Sequence, residues 1–593
     1  MPKGIVHQKI ESLLSQAMAQ ARQKGQLKLD SMPTIALDPP KRPEWGDLAS
    51  TVAMSLASSE QRAPQDIAQI IVDNMGERER WLERVEIVRP GFLNMTVKKS
   101  LWLEVLLDVE RQGHRYGQSQ LGLGKRILIE YVSANPTGPL HVGHGRGAAV
   151  GQALANLLES AGYEVVREYY INDAGRQMKL LGASVYARLR LLRGLPATLP
   201  EDGYQGDYIE QVAAAISSAE GDALLACGAD EAEQRCQELA YARLLEAIRQ
   251  DLRRFGVEFQ SWFSEASLLK SGAVARVIQE LKTRGLIVEQ DGAMWFRSSA
   301  YGDEKDRVVR KQDGDYTYLA SDIAYHRDKL LRGYDRLINI WGADHHGYIP
   351  RMQGVVEAFG YPKDRLQVVL VQMVNLLRGG RKVEMSKRAG TFVTLQEVLD
   401  EVGVDAAKFY FLMRRSDSHV DFDLELAKRR SADNPVYYVQ YAHARVASIC
   451  RVAESRGLSV PVAKEAELSV LGDPDELALI RKLALYPMVV DGAVEALEPH
   501  RVTFYLQELA AQLHSYYFRH RILPPATDGE GEAELAAWES PQKEEGGEAT
   551  DGPPLREVLT PALSGARLVL MKQVQQVLRN GLTLLGMSAP DRM

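Results

Sequence analysis

The sequence of 593 residues is long enough for three or four domains, and its 45% hydrophobic and 25% charged residues are ordinary for a globular protein. A net charge of −7 excludes a protein that is basic throughout, so any surface for nucleic acid must be a local basic patch. The three cysteines form no CxxC pattern, which argues against a zinc–cysteine site or a disulfide framework.

Residues 1–112 are predicted to form a small α/β domain. Apolar side chains recur at helical spacing over residues 5–23 and again over residues 65–75. Between and after these helices lie two short motifs, Gly46-Asp47 and the stretch PGFLN at residues 90–94. The residues alone leave two interpretations open: a domain that binds a partner, and a scaffold that has no ligand.

A strand, a glycine-rich turn and a helix form the central feature of the chain. Residues 127–132 (ILIEYV) have the apolar, β-branched character of a buried parallel strand, and residues 133–144 (SANPTGPLHVGH) follow them. With a helix predicted to start near His144, this arrangement directs backbone N–H groups and the helix dipole at a phosphate. A Gly-x-Gly turn is equally typical of tight packing, but His141 and His144 at one helix start favour a phosphate chain.

The catalytic unit is predicted to cover residues 113–392. Polar residues at 168–178 end a second strand, at the edge of an open sheet where ligands bind. Residues 180–281 are interpreted as a charged helical insertion that interrupts the nucleotide-binding fold. Most of its charges are expected to lie on solvated helix faces.

Tyr318 and Asp322 are four residues apart, so they share one face if this stretch is a helix. A carboxylate can accept two parallel N–H bonds from a guanidinium, and a phenol beside it suits such a pocket. The alternative is an acidic residue near a helix N-terminus beside a packed tyrosine.

A buried strand at residues 337–341 is followed by Gly-Ala-Asp-His-His. Asp344 and His345 are interpreted as a wall of the nucleotide site. Adjacent histidines can indicate a metal, but successive residues of a strand point to opposite faces, so a shared ion is not expected. The last buried strand, residues 367–376, leads to a loop rich in glycine and basic residues that contains Met-Ser-Lys at 385–387.

The remainder of the chain is predicted to be helical. Residues 393–455 form a connecting region, and residues 456–593 show leucine-rich helical periodicity. The stretch YYFRHR at residues 516–521 interleaves aromatic and basic side chains, which suits unstacked bases and phosphates, although a buried core explains some of the aromatics equally well. Residues 527–554 are acidic and lack periodicity, which predicts a disordered surface loop.

Several of these strings resemble a known family. An H-x-G-H element after a first strand resembles the signature of class I aminoacyl-tRNA synthetases and of related nucleotidylyltransferases. The longer strings at residues 133–144 and 318–329 (YLASDIAYHRDK) resemble the arginyl-tRNA synthetases, as does the stretch 434–445. The Met-Ser-Lys loop resembles the second class I signature, K-M-S-K-S, with Glu384 in place of its first lysine and Arg388 in place of its final serine.

The resemblance implies an α/β fold: a class I Rossmann-type catalytic domain with an N-terminal α/β domain and a C-terminal all-helical anticodon-binding bundle. In this family the N-terminal domain contacts the corner of the tRNA. The implied reaction activates L-arginine with ATP, accompanied by Mg²⁺, and transfers the arginyl group to the 3′-terminal adenosine of tRNA(Arg). No apolar stretch long enough for a bilayer and no signal peptide are evident, so a cytoplasmic location is expected. The chain is also expected to be a monomer.

The resemblance also implies roles for single residues. His141, His144 and Lys387 would be catalytic, because they stabilise the ATP phosphates and the departing pyrophosphate. The residues implied for ATP binding are His141, Gly143, His144, Asp344, His345, Met385, Ser386 and Lys387. Those implied for arginine binding are Glu130, Ser133, Asn135, Tyr318 and Asp322. Those implied for tRNA binding are Tyr437, Tyr441, Arg445, Tyr517 and Arg519, and no metal ligand is implied.

Two other classes of protein share parts of this pattern. A small-molecule nucleotidylyltransferase also carries H-x-G-H, but it needs no helical C-terminal domain of this size. A non-catalytic RNA-binding relative of the synthetases would not need intact HVGH and MSK motifs. Arginine-dependent charging of tRNA distinguishes all three classes.

Deleting residues 528–552 is expected to leave tRNA charging and the thermal midpoint nearly unchanged. The segment is too polar to bury a core, and the entropy of closing a loop depends only weakly on its length. Steady-state charging and a thermal melt of the shortened chain test this expectation. A large rise in the KM for tRNA would instead show that the segment orders against a partner.

Overall fold

The computed structural model of the chain describes residues 4–383, 393–524 and 558–593. In these residues a small α/β unit, a unit built on a parallel sheet and a bundle of helices follow one another. The predicted α/β fold class is confirmed. No helix of the described part is both long and apolar enough to cross a membrane.

The N-terminal unit packs helices against a three-stranded antiparallel sheet with the order β1-β3-β2. Apolar residues spaced three and four apart, among them Ile10, Leu13 and Leu14, are fully or almost fully buried in its core. Its helices and strands are α1 (Ile5–Gln23), β1 (Leu48–Ser50), α2 (Val52–Glu60), α3 (Pro64–Asp73), α4 (Arg78–Trp81), β2 (Leu82–Val88), β3 (Phe92–Val97) and α5 (Lys99–Gln112).

The Gly46-Asp47 motif joins this unit to the helical bundle. Gly46 has φ +115°, and a Cβ there would lie 2.7 Å from the Met95 carbonyl oxygen, so only glycine fits. The turn directs Asp47 outward, where its carboxylate accepts a bond from the Val97 amide and pairs with Arg481 at 2.8 Å. The motif therefore has a structural task at a domain contact.

The middle unit contains the parallel sheet and two smaller sheets. Its first elements are β4 (Arg126–Glu130), α6 (Val142–Ser160), β5 (Glu164–Ile171), α7 (Arg176–Leu192), α8 (Asp207–Ala226), α9 (Ala229–Arg254), β6 (Ser261–Ser264), α10 (Glu265–Lys270), α11 (Ala273–Thr283), β7 (Ile287–Gln290), β8 (Ala293–Phe296) and β9 (Arg307–Arg310). The elements that follow are α12 (Tyr318–Leu331), β10 (Arg336–Gly342), α13 (Ile349–Ala358), β11 (Leu366–Val371), β12 (Val374–Arg378), β13 (Arg381–Lys382), α14 (Leu395–Val402), α15 (Val404–Leu412), β14 (Val420–Asp423) and α16 (Leu424–Ala427).

The parallel sheet has the strand order β11-β10-β4-β5-β6. From β4 the chain adds β5 and then β6 on one side of the sheet. It later adds β10 and then β11 on the other side. The direction of winding reverses between β4 and β10, and such a switch point opens a crevice at the carboxyl ends of the strands. Apolar cores cover both faces of the sheet.

The predicted limits of the helical insertion, 180–281, were wrong at the far end. The strand β6 falls inside that range, yet it pairs in parallel with β5 as the edge of the central sheet. The inserted elements are α7, α8 and α9, which bury a small core of their own. Four residues of moderate hydrophobicity were too weak a signal for a strand, because the partner strand lies far away in sequence.

The C-terminal unit is a bundle made of α17 (Pro435–Ser455), α18 (Pro474–Ala496), α19 (His500–Arg519) and α20 (Pro561–Leu584). The helix α17 packs against α19 and α20, so it belongs to the bundle and not to the connecting region predicted at 393–455. The acidic stretch 527–554 lies outside the described residues.

Candidate active site

The switch point brings the HVGH segment and the end of β10 to one crevice. The strand β4 ends at Glu130, and the turn after it leads to His141, which precedes the first residue of α6. The helix thus starts two residues earlier than predicted. Backbone N–H groups of its first turn face the crevice end of the sheet, as an anion-binding site requires.

His141 and His144 cap this helix reciprocally. Nδ1 of His141 accepts a bond from the Gly143 amide at 3.1 Å, and Nδ1 of His144 accepts one from the His141 amide at 3.2 Å. The two rings stack with centroids 3.6 Å apart. A Cβ on Gly143 would lie 3.0 Å from Cε1 of His141, so a side chain there would displace the imidazole. The predicted group His141, Gly143 and His144 is therefore brought together.

The turn after β4 has a strained backbone. Val132 has φ +68° and Ser133 has φ +42°; residues other than glycine rarely adopt such a positive φ, and a β-branched residue such as valine least of all. The Ser133 hydroxyl donates to the Glu130 carboxylate at 2.9 Å and accepts from the Tyr170 amide at 3.2 Å. Strain of this kind persists only where surrounding contacts enforce it, and it is frequent at ligand sites.

Asp322 lies partly buried on α12, with its Oδ2 accepting a 2.5 Å bond from the Tyr348 hydroxyl. Burial, followed by the negative charges of Glu265 and Glu130, raises the pKa of Asp322 to about 6, although the Tyr348 bond and Lys329 lower it. Asp322 is the fifth residue of its helix, and Thr317 precedes the helix as its N-cap. Asp322 therefore does not cap the helix.

The phenol that contacts Asp322 was predicted to be Tyr318, and this detail was wrong. Tyr318 is the first residue of α12 and is 64% exposed. Tyr348 reaches Asp322 from the 3-10 helix Ala343–Tyr348 that follows β10. The motif Gly-Ala-Asp-His-His-Gly-Tyr contains this tyrosine, but only the fold shows that its side chain faces Asp322.

Further carboxylates surround this pocket. Burial raises the pKa of Tyr170 strongly, and the negative charges of Glu265, Asp322, Glu130 and Asp173 raise it further, so these groups lie close to one phenol. Glu265 is 4% exposed, and burial raises its pKa. It is the first residue after β6, and sequence reasoning missed it because β6 itself was missed.

A buried network lies beneath the carboxylates. The Lys329 ammonium, which is fully buried, pairs with Glu130 and donates to Asn339 Oδ1 at 2.9 Å. Asn339 Nδ2 contacts His326 Nε2 at 3.0 Å, and His326 Nδ1 contacts the Asp322 carbonyl at 2.8 Å. Burial and then Lys329 lower the pKa of His326 to about 3, so the ring is neutral, with Nδ1–H as donor and Nε2 as acceptor.

Asn135 and Thr137 connect the HVGH turn to the insertion. Nδ2 of Asn135 donates to Oε1 of Gln177 on α7 at 2.7 Å, and the Tyr208 hydroxyl of α8 donates to the Thr137 carbonyl at 2.9 Å. Asp344 and His345 lie exposed on the 3-10 helix that follows β10. Their predicted nucleotide contact stays a prediction.

The residues Met385, Ser386 and Lys387 lie outside the described residues. On the C-terminal side of that gap, His141 forms a bridge with Thr394, and the Leu395 amide donates to the Leu140 carbonyl at 2.8 Å. On the N-terminal side, β13 pairs with β12 and leaves Arg381 and Lys382 exposed. The described residues that follow the gap, from Thr394 onward, thus lie directly beside the HVGH segment.

Arg146 joins the helix α6 to two loops of the same unit through contacts that the sequence did not suggest. Its buried guanidinium donates to the carbonyls of Gln372, Ser418 and Arg415 at 2.7 to 2.8 Å. Burial lowers its pKa to about 10. These bonds hold the start of α6 against the loop that precedes β12 and the loop that precedes β14.

Four of the five residues predicted for tRNA meet on one face of the bundle. The rings of Tyr437 and Tyr441 stack at 5.8 Å, and the Arg445 guanidinium lies 4.7 Å from the ring centre of Tyr441 and 4.8 Å from that of Tyr517. Arg519 is not part of this group. It lies two residues beyond Tyr517, about 200° around the helix, and pairs with Asp475 at 2.9 Å.

Comparison with known proteins agrees with this architecture. The family model described as tRNA synthetases class I (R), catalytic domain, matches residues 106–421. The arginyl tRNA synthetase N-terminal domain model matches residues 8–97, and the DALR anticodon binding domain model matches residues 439–537 and 557–593. The last match omits residues 538–556, most of which belong to the acidic stretch.

Two curated relatives match over almost their whole length. The arginine–tRNA ligase of Syntrophotalea carbinolica is 48% identical over 586 residues, covering 99% of this chain and 100% of that protein. The arginine–tRNA ligase of Citrifermentans bemidjiense is 47% identical over 569 residues, covering 96% and 97%. The structure of Thermus thermophilus arginyl-tRNA synthetase shares the fold, with a TM-score of 0.69 at 23% identity, covering 98% of this chain and 99% of that one. The chain belongs to the arginyl-tRNA synthetases of class I.

Proposed function

We propose that this chain joins L-arginine to tRNA(Arg) at the crevice between β4 and β10, with ATP as the energy source. The chain is a class I aminoacyl-tRNA synthetase, and its curated relatives are arginine–tRNA ligases. The observation that carries the choice of amino acid is the acidic pocket around Asp322. Arginine brings two cationic groups, its guanidinium and its α-ammonium, and the pocket offers carboxylates for both.

The guanidinium is assigned to Asp322. A planar guanidinium has five N–H donors in a fixed arrangement, whereas lysine offers one compact ammonium. Tyr348 occupies one side of the Asp322 carboxylate and leaves the other lone pairs for the substrate. Glu265 adds a second negative charge nearby, and Tyr318 stands at the entrance. These contacts support a pocket that prefers arginine to lysine.

The α-amino end of arginine is assigned to the turn after β4. Glu130, Ser133 and Asn135 lie there, and Asn135 is steadied by Gln177. Lys329 balances part of the Glu130 charge from below, so the pocket does not collect three uncompensated carboxylates. The substrate carboxylate then lies toward the helix start that carries His141 and His144.

ATP is assigned to the HVGH helix start, and it enters as its magnesium complex. His141, Gly143 and His144 contact the phosphates and the adenosine, Asp344 and His345 form the facing wall, and Met385, Ser386 and Lys387 approach the pyrophosphate. In the first step an oxygen of the arginine carboxylate bonds to the α-phosphorus while the bond to the bridging oxygen breaks and pyrophosphate leaves. In the second step a ribose hydroxyl of the terminal adenosine attacks the arginyl carbonyl and AMP leaves.

The tRNA is assigned to the helical bundle and the N-terminal unit. Tyr437, Tyr441, Arg445 and Tyr517 present stacked rings and a guanidinium, a combination that binds unstacked bases and phosphates. Arg519 contributes only if its pair with Asp475 opens. We further propose that the enzyme works as a monomer in the cytoplasm.

Amino-acid-dependent charging of unfractionated tRNA tests this function. We expect arginine to be attached in the presence of ATP, and lysine to be attached at no measurable rate. Nucleotide transfer to a small molecule without charging would indicate a nucleotidylyltransferase. Binding of tRNA without any turnover of ATP would indicate a non-catalytic RNA-binding protein, and either result would overturn the proposal.

A further inference from the structure

We propose that Tyr348, oriented by Arg351 and Asp303, is a positioning residue that keeps the Asp322 carboxylate ionised and aimed at the substrate guanidinium. This inference rests on the proposed function, in which Asp322 selects arginine. It concerns a relay of three side chains that reaches Asp322 from outside the helix on which it lies.

The relay begins at Asp303. This carboxylate is almost completely buried and accepts a bond from Arg351 Nε at 2.8 Å and two bonds from Arg307 at 2.8 and 2.9 Å. Burial raises the pKa of Asp303, but these bonds together hold that pKa well below its usual range. Asp303 is therefore a permanent anion that fixes the position of Arg351.

Arg351 in turn holds the Tyr348 ring in place. Its guanidinium lies 4.8 Å from the centre of the Tyr348 ring. An ionised carboxylate has acceptors only, so the Tyr348 hydroxyl directs its own proton at Asp322. The 2.5 Å bond between the Tyr348 hydroxyl and Asp322 Oδ2 agrees with this direction.

Asp322 needs such a donor because of its neighbours. Glu265 on α10 and Glu130 on β4 both raise its pKa, whereas Lys329 on its own helix and Tyr348 lower it. The other groups near Asp322 are Arg351 on α13, Tyr170 on β5, and the neutral His326, which contacts its backbone carbonyl. Among these carboxylates, a group without the Tyr348 bond would be protonated at a higher pH and would lose its attraction for a guanidinium.

The pH dependence of kcat/KM for arginine tests the relay in the full-length enzyme, since this ratio reports groups of the free enzyme. For Tyr348→Phe, which keeps the ring and removes the hydroxyl, we expect kcat/KM to fall by about tenfold at pH 6 and by less than about threefold at pH 8.5. The acid limb of the pH profile of kcat/KM is expected to move to higher pH. The loss of kcat/KM should come from a higher KM and not from a lower kcat. Arg351→Met should shift the limb in the same direction.

Two comparisons separate the possible failures. Tyr301→Phe is the matched control, because the Cβ and backbone carbonyl of Tyr301 lie against Gly354 of the same helix α13, and its profile should superimpose on that of the unmodified enzyme. An equal loss for Tyr348→Phe at both pH values, or no loss, overturns the relay. The assignment of Asp322 to the substrate guanidinium fails separately, if Asp322→Asn leaves the arginine KM unchanged at every pH.

Discussion

Replacing Asp322 with asparagine is expected to raise the KM for arginine by about two to four orders of magnitude, with the KM for ATP almost unchanged. Asparagine keeps the shape of the side chain and removes its charge, so the guanidinium enters a buried site without its ion-pair partner. Breaking one side of a buried ion pair costs roughly 3–5 kcal/mol, which corresponds to that range. ATP is spared because the HVGH segment is untouched.

The measurement is an arginine titration at saturating tRNA and ATP, at pH 8, where a carboxyl with a pKa of about 6 is ionised. Asp328→Asn is the matched control. It makes the same substitution on the same helix, at a carboxylate that pairs with Arg332 at 3.0 Å. If Asp322 had only a structural role, both variants would keep the arginine KM of the unmodified chain, and the assignment of the substrate pocket would be wrong.

Replacing Lys387 with alanine is expected to slow adenylate formation by about two to three orders of magnitude, with arginine affinity little changed. The departing pyrophosphate gathers negative charge in the transition state, and losing one group that stabilises such charge typically costs a factor of about 10² to 10³. Lys387 lies outside the described residues. Its assignment is supported by the Met-Ser-Lys motif and by the neighbouring described segment, where Leu395 bonds to Leu140.

Arginine-dependent exchange of pyrophosphate into ATP, measured with tRNA present, follows this step directly. Lys382→Ala is the natural reference, since that side chain is exposed on β13 near the same loop and should have a much smaller effect. Near-full turnover in Lys387→Ala would contradict the assignment. The phosphate contact would then belong to Arg381, Lys382 or Arg388.

The sequence by itself was sufficient for features that are encoded locally. The apolar strand, the turn and the helix around His141 and His144 are contiguous in the chain. The hydrophobic pattern and the HVGH motif therefore indicated them together. The fold class and the family followed from long strings of the same kind. Tyr441 and Arg445 lie on one face of α17 because they are one helical turn apart.

Only the tertiary structure decided which distant residues share the pocket. Tyr348 lies 26 positions from Asp322 and reaches it because α13, which begins right after Tyr348, packs against α12, whereas Tyr318, which is local, remains exposed. Glu265 enters the pocket because β6 joins the sheet at β5. Arg519 lies apart from the cluster of Tyr437, Tyr441, Arg445 and Tyr517 because two further residues on a helix turn a side chain to the opposite side.

The physical reason is the difference between local and non-local contacts. Helical spacing, caps and glycine turns depend on residues a few positions apart, and a sequence displays those directly. Strand pairing and side-chain packing bring together residues that are far apart along the chain, and no pattern in either segment names its partner. The HVGH motif could therefore be recognised in the amino-acid sequence, whereas the relay from Asp303 to Asp322 could be found only in the folded chain.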